Sequence, residues 1–138
     1  MWPRFSVVAA GSARMNYLLV FVGGGLGSTL RYGVNVLSGR LLGTDFPFGT
    51  FIINITGSTV MGLIAGYLTF KGEATLPWRI FLMTGILGGY TTFSAFSLDT
   101  AYLYERGELG LALVYVLGSV ILSITGLFAG LALVRHFS

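Results

Sequence analysis

The stretch Gly85-Ile86-Leu87-Gly88-Gly89-Tyr90-Thr91-Thr92-Phe93-Ser94-Ala95-Phe96-Ser97-Leu98-Asp99 decides how this chain is read. It lies in an apolar span, yet a Gly-Gly pair is followed by a Thr-Thr pair, further hydroxyls and two phenylalanines. Lipid offers no hydrogen bonds, so a membrane helix normally satisfies its backbone internally. A break at membrane depth persists only where the freed backbone is buried in protein, binds something or lines a wet cavity. The pattern predicts a helix broken near its middle and places the chain's work at the break.

The rest of the chain supports a membrane reading. Of its 138 residues, 54% are hydrophobic and only 9% charged, against about 25% charged in a soluble domain. Four charge-poor stretches, at about 17–37, 46–70, 79–104 and 109–135, are each near or above the ~20 residues that cross the hydrocarbon core as a helix. They are continuously apolar, whereas a transmembrane barrel alternates in segments of about ten residues. The short connections at 38–45, 71–78 and 105–108 hold most of the charges and leave no room for a soluble domain. The expected architecture is an all-α membrane protein, with residues 15–138 forming a single domain of four transmembrane helices, the third broken. Residues 1–14 read as an extension, either disordered or an upstream start assignment, because a second methionine, Met15, directly precedes the first span.

Function classes narrow quickly. Cysteine is absent, which removes thiol and disulfide chemistry, and the one histidine, His136, is near the C-terminus. No nucleophile–base pair or metal cluster can be assembled from such a set. No carboxylate stands in the middle of a span, where a proton-coupled transporter usually places one. The pattern favours a passive pathway over a coupled pump. Arg4, Arg14, Lys71, Arg79 and Arg135 fall on the side of the termini, against Arg40, Arg106 and Arg31 on the other. That modest bias favours cytoplasmic termini. On charge alone a single orientation with an ordinary weak signal is the favoured reading, and the bias is weak enough to permit insertion in both orientations.

Small residues recur four apart at Gly23 and Gly27, Gly62 and Gly66, and Gly126 and Gly130. This spacing lets membrane helices approach closely. A bundle with so many small faces is expected to associate further, most simply as a two-fold homodimer. Asn54 carries an amide that needs partners at membrane depth. Arg31 either snorkels to the interface or draws anions toward a pore mouth. Asp99 reads as a solvated helix end. Phe93 and Phe96 share a helical face, which is ordinary packing unless the neighbouring hydroxyls of Thr92, Ser94 and Ser97 make it a path. The positive edges of their rings, with donors from Asn54, Ser119 and Ser123, would offer a small anion the weak repeated sites that conduction requires. The break also frees carbonyls suited to a hard cation such as sodium, or is a kink capped by the Thr91 or Thr92 hydroxyl. Replacing Gly88 with valine is expected to crowd the break.

At these residues the chain resembles the Fluc (CrcB) family of fluoride channels, over about residues 16–135. Three motifs carry the resemblance: Gly27-Ser28-Thr29-Leu30-Arg31-Tyr32, then Gly49-Thr50 with Asn54 and Gly57, and then Gly85 through Ser97. The resemblance implies an antiparallel, dual-topology homodimer, multi-pass in the bacterial inner membrane. It implies two fluoride pores per dimer and a structural sodium ion at the dimer centre, with no nucleic-acid partner. By motif, Phe93, Phe96 and Asn54 match the pore phenylalanines and asparagine, with Thr92 beside them. Tyr115 and Ser119 fall where the fourth span contributes a tyrosine and a hydroxyl. Arg31 matches an entrance-vestibule arginine, and Gly88 and Thr91 match the carbonyls that bind sodium. Ala95 stands where threonine is common, and Asp99 where glutamate is frequent. The runner-up is a small multidrug-type dual-topology transporter, which would need a glutamate in the first span. A membrane assembly factor is a third reading, and an intramembrane enzyme the least supported.

Overall fold

The computed structural model describes residues 13–70 and 76–138, so most of the N-terminal extension and of the 71–78 connection lies outside the described residues. The described chain is helical throughout, with α1 at Ala13–Leu42 and α2 at Phe48–Phe70. The third span is divided into α3 (residues 76–90) and α4 (Phe93–Glu105), and α5 follows at Leu109–His136. Ala13 and Arg14, expected in the extension, belong to α1, and 38–42, expected in a connection, continue that helix. Nothing in Ser38-Gly39-Arg40-Leu41-Leu42 breaks it until Gly43, whose φ of 81° turns the chain. At about 1.5 Å per residue, α1 is longer than the ~30 Å hydrocarbon core.

Among the described residues, three helices are long and apolar enough to cross a membrane: α2, the combined segment Leu76–Glu105, and α5. Helix α1 is not among them; Gly23, Gly24, Gly25, Ser28, Thr29, Arg31 and Asn35 dilute its apolar residues, although it packs as a full partner in the bundle.

Two helix pairs make the bundle. Helix α1 lies along α3, and α2 along α5. In each pair the contacting positions rise together in number, Gly23 with Gly85 and Gly62 with Leu127 before Gly66 with Val134, so the paired helices run parallel. This is the result of an up-down-up-down path. Missing side chains set the distance of approach. A Cβ on Gly27 would collide with the Ile86 carbonyl oxygen, and one on Gly89 would stand 3.0 Å from the Gly24 Cα. Across the other pair, a Cβ on Gly130 would come within 2.6 Å of the Thr59 carbonyl oxygen.

Helix α4 ends in a glycine turn. Gly107, with φ 75°, donates to the Tyr104 carbonyl and Glu108 to the Leu103 carbonyl, which caps α4 and starts α5 at once. The Arg106 guanidinium bonds the Glu108 carboxylate at 3.0 Å and the Asp45 carbonyl at 3.1 Å. It thereby ties this turn to the one joining α1 and α2. The enclosed core is small, centred on Phe96, Leu103, Ala112 and Tyr115. Only 17–28% of residues in the three apolar spans are buried within the chain, so most of each span is left for lipid or another chain.

Candidate functional site

The break is real, and its chemistry is local. Helix α3 opens with an ordinary turn at Leu76–Arg79, then widens over Ile80–Leu87 into π-helical geometry. The Gly88 N–H accordingly reaches back to the Met83 carbonyl, the i→i+5 bond that defines a π turn. After Gly88–Tyr90 the chain becomes extended, with φ, ψ of −77°, 158° at Thr91 and −152°, 126° at Thr92. Two residues thus leave the helical ladder at membrane depth, and their polar groups need new partners.

Asn54 on α2 supplies the largest part. Its Nδ2 donates to the Thr92 carbonyl at 2.9 Å, and its Oδ1 accepts from the Thr92 N–H at 2.9 Å. One side-chain amide thus pairs with both backbone groups of one residue, as a neighbouring strand would. Gly57, the next small residue toward the break, makes room: a Cβ there would strike the Thr91 methyl. The Thr92 hydroxyl accepts from the Ala95 N–H at 3.2 Å and caps α4. The Thr91 hydroxyl donates to the Leu87 carbonyl at 2.9 Å, and Ser28 reaches the Gly89 carbonyl at 3.4 Å. Both kinds of expectation therefore meet here, since the kink is capped by threonine hydroxyls while a carbonyl stays free. Among the described residues, the Thr91 carbonyl, which lies outside the helices, accepts no hydrogen bond. Gly88 is exposed. The crowding expected at Gly88 is absent within the chain, where an added Cβ would meet only the Met83 carbonyl oxygen at 3.6 Å. It falls on Gly89 and Gly27 instead, which face α1 and α3 respectively.

Beyond the break, α4 carries the two phenylalanines with ring centroids 5.5 Å apart. Their environments differ sharply. Phe96 is 9% exposed and packs 5.3 Å from the Tyr115 ring, whereas Phe93 is 78% exposed. Tyr115 is fully buried, with Phe46 edge-on at 5.5 Å and Phe51 at 6.4 Å. Its hydroxyl donates to the Asp99 carboxylate at 3.0 Å. Asp99 is therefore half-buried and engaged, not a solvated helix end, because α5 brings Tyr115 alongside α4.

A cavity of about 310 Å³ opens beside the break, and Asn54, Thr91, Thr92, Phe93, Phe96 and Ser119 all line it. Ser58 and Ser123 complete its polar wall, with Val120 and Ile124 as apolar neighbours. The Ser119 and Ser123 hydroxyls are buried with no hydrogen-bond partner among the described residues. Buried hydroxyls are normally satisfied, so two orphans on one wall mark a place that a hydrogen-bond acceptor would fill. Tyr115 supports the cavity from behind through Phe96, and Arg31 is not among its lining residues. Arg31 is half-exposed on α1, with no ion pair to any described residue. Ser58 is a lining residue that the sequence analysis does not single out. Its spacing of four from Asn54, like that of Ser123 from Ser119, was the available sign of a shared helical face.

Known proteins resemble this chain closely. Residues 18–131 match the family model described as CrcB-like protein, Camphor Resistance (CrcB). A protein of Nitrobacter hamburgensis named fluoride-specific ion channel FluC 2 is 72% identical over 124 residues, covering 90% of this chain and 100% of its own length. Fluoride-specific ion channel FluC of a Rhodopseudomonas palustris strain is 73% identical over 121 residues, 88% of this chain and 98% of its own. The Agrobacterium fabrum protein of the same name is 50% identical over 122 residues, with the same coverages. With its helices, its break and its motifs in the matched region, this chain belongs to the CrcB family of multi-pass membrane proteins.

Proposed function

We propose that this chain forms a passive, fluoride-selective channel that lets cytoplasmic fluoride leave the cell and so lowers its toxicity. Two buried, unpartnered hydroxyls, Ser119 and Ser123, in a cavity edged by phenylalanines carry the proposal. The relatives' names supply the anion. The chain is not an enzyme, in keeping with relatives named as ion channels.

Fluoride is a small, strongly hydrated acceptor. The Ser119 and Ser123 hydroxyls would replace part of its water, and the ring edges of Phe93 and Phe96 would face it with weak positive charge. No full positive charge lines the cavity to trap it. Weak, repeated contacts let an ion enter and leave, and a negative-inside potential favours the outward direction. Asn54 and Thr92 act mainly on each other, so their role in the lining is to hold the wall in place. Tyr115 backs Phe96, and Arg31 would serve at an entrance outside the cavity.

The working unit in this proposal is an antiparallel, dual-topology homodimer with two pores in the bacterial inner membrane. Support comes from the exposed Phe93 ring at the cavity edge and from the lightly buried spans. A structural sodium ion at the dimer centre would fit the carbonyls of Thr91, which accepts no hydrogen bond among the described residues, and of the exposed Gly88, both hard oxygen donors of the right type. Such an ion would neutralise a carbonyl dipole that neither helix nor lipid satisfies. The multidrug-type transporter finds no support in the cavity, whose lining carries no carboxylate.

Reconstitution in liposomes tests the proposal. Efflux followed with a fluoride electrode, against chloride-loaded vesicles, should show fast fluoride release and little chloride release. No fluoride flux from well-folded protein overturns it.

A further inference from the structure

A second, larger groove of about 540 Å³ lies away from the break, where the end of α2, the start of α3 and the end of α5 meet. Leu63, Leu68, Leu82 and Val134 line it, with Tyr67 and Trp78 at its edges. Both aromatic side chains are about half exposed, Tyr67 at 49% and Trp78 at 58%. Tyrosine and tryptophan gather at the membrane–water interface, so this groove opens at headgroup level. Beside it stands Arg79. One guanidinium nitrogen, Nη2, donates to the Leu68 carbonyl at 3.2 Å, while Nε is buried without a partner among the described residues. Arg79 forms no ion pair with any described residue. Arg135 follows Val134 in the last turn of α5 and adds a second positive charge at this end.

We propose that this groove binds a phospholipid with an anionic headgroup. An acyl chain lies along Leu63, Leu82 and Val134, and the headgroup phosphate sits on Arg79. The apolar floor alone would accept any lipid; the Arg79 guanidinium, which forms no ion pair with any described residue, selects the charge. The bond from Arg79 to the Leu68 carbonyl is compatible with this role, because it uses one of several N–H donors and ties the guanidinium to a residue that lines the groove.

The chain has two tryptophans, Trp2 and Trp78, so Trp2→Phe leaves the groove's own residue as the only reporter. The protein is reconstituted in phosphatidylcholine vesicles containing brominated phosphatidylglycerol or brominated phosphatidylcholine at equal mole fraction, and Trp78 quenching is compared. A roughly fivefold preference for the anionic lipid is expected, the size of one arginine acting at a charged lipid surface. Arg79→Gln should bring the two lipids to parity, while Arg135→Gln should keep most of the preference. Val134→Phe narrows the groove without touching Arg79 and should also reduce the preference, which keeps the test valid if Arg79→Gln does not fold. Equal quenching by the two lipids in the starting protein overturns the proposal. So does a preference that survives both Arg79→Gln and Val134→Phe, or one abolished by inorganic phosphate in the buffer, which would mark a free-anion site.

Discussion

Replacing Asn54 separates two roles that its position allows, and the structure gives the size of the effect. Both polar atoms of the amide are committed to Thr92, at 2.9 Å each. Asn54→Asp keeps an acceptor for the Thr92 N–H but loses the donor to the Thr92 carbonyl, and sets two oxygens against each other. A buried group left without its partner costs about 1–3 kcal/mol. Asn54→Leu leaves both Thr92 groups unpaired and costs about twice that, roughly 2–6 kcal/mol. At about 1.4 kcal/mol per factor of ten, the ratio of ordered to disordered break should fall by roughly five- to a hundredfold in the aspartate variant. The assay pairs fluoride efflux from proteoliposomes with thermal or denaturant unfolding of the same preparations. If Asn54 mainly holds the break, flux and stability fall together, and the leucine variant is the worse on both. Were Asn54 only an anion ligand, flux would fall at unchanged stability. Wild-type stability in Asn54→Leu would refute the reasoning outright.

Three further substitutions probe the remaining parts. Phe93→Ile alters a ring that is 78% exposed within the single chain, so the chain should fold and the dimer still assemble, while fluoride efflux drops sharply; a normal efflux rate would remove Phe93 from the pore. Ser119→Ala with Ser123→Ala removes two hydroxyls that have no hydrogen-bond partner among the described residues. Unfolding should therefore be unchanged or slightly delayed, with fluoride efflux reduced, and a large loss of stability would show that the hydroxyls are satisfied within the protein. Gly27→Ala places a Cβ against the Ile86 carbonyl oxygen, an overpacking expected to cost about 1–3 kcal/mol; size-exclusion profiles and melting should show it, whereas Gly25→Ala, which meets nothing within 4 Å, should be neutral.

Much of this arrangement could be read from residue order. The Gly88-Gly89-Tyr90-Thr91-Thr92 run announces a break because glycine and paired threonine both weaken a helix, and the structure turns extended at Thr91 and Thr92. Long charge-poor runs announce helices for the same local reason. What joins distant segments was less accessible. That Asn54 wants a partner is a property of an amide in lipid; that the partner is the Thr92 backbone, 38 positions away, depends on how α2 meets the third span. Asp99 looked like a helix end because nothing nearby in sequence holds it, while Tyr115 arrives from the next helix. The crowding assigned to Gly88 belongs to Gly89 and Gly27, since which glycine faces a neighbour depends on helical phase. That phase is altered by the wide turn at Ile80–Leu87, for which the sequence carries no plain sign.

The wide turn makes α3 a matter of residue count as well as residue type. Were the segment to tighten into an ordinary α-helix with every residue kept, everything after it would rotate by about 100°. Gly89 would leave the α1 interface, and the Thr92 backbone would swing away from the Asn54 amide, although no contacting side chain had changed. A single insertion along this segment should therefore be tolerated worse than a single deletion, which tightening to an α-helix would absorb, and a scan of both would map the break from a turn away.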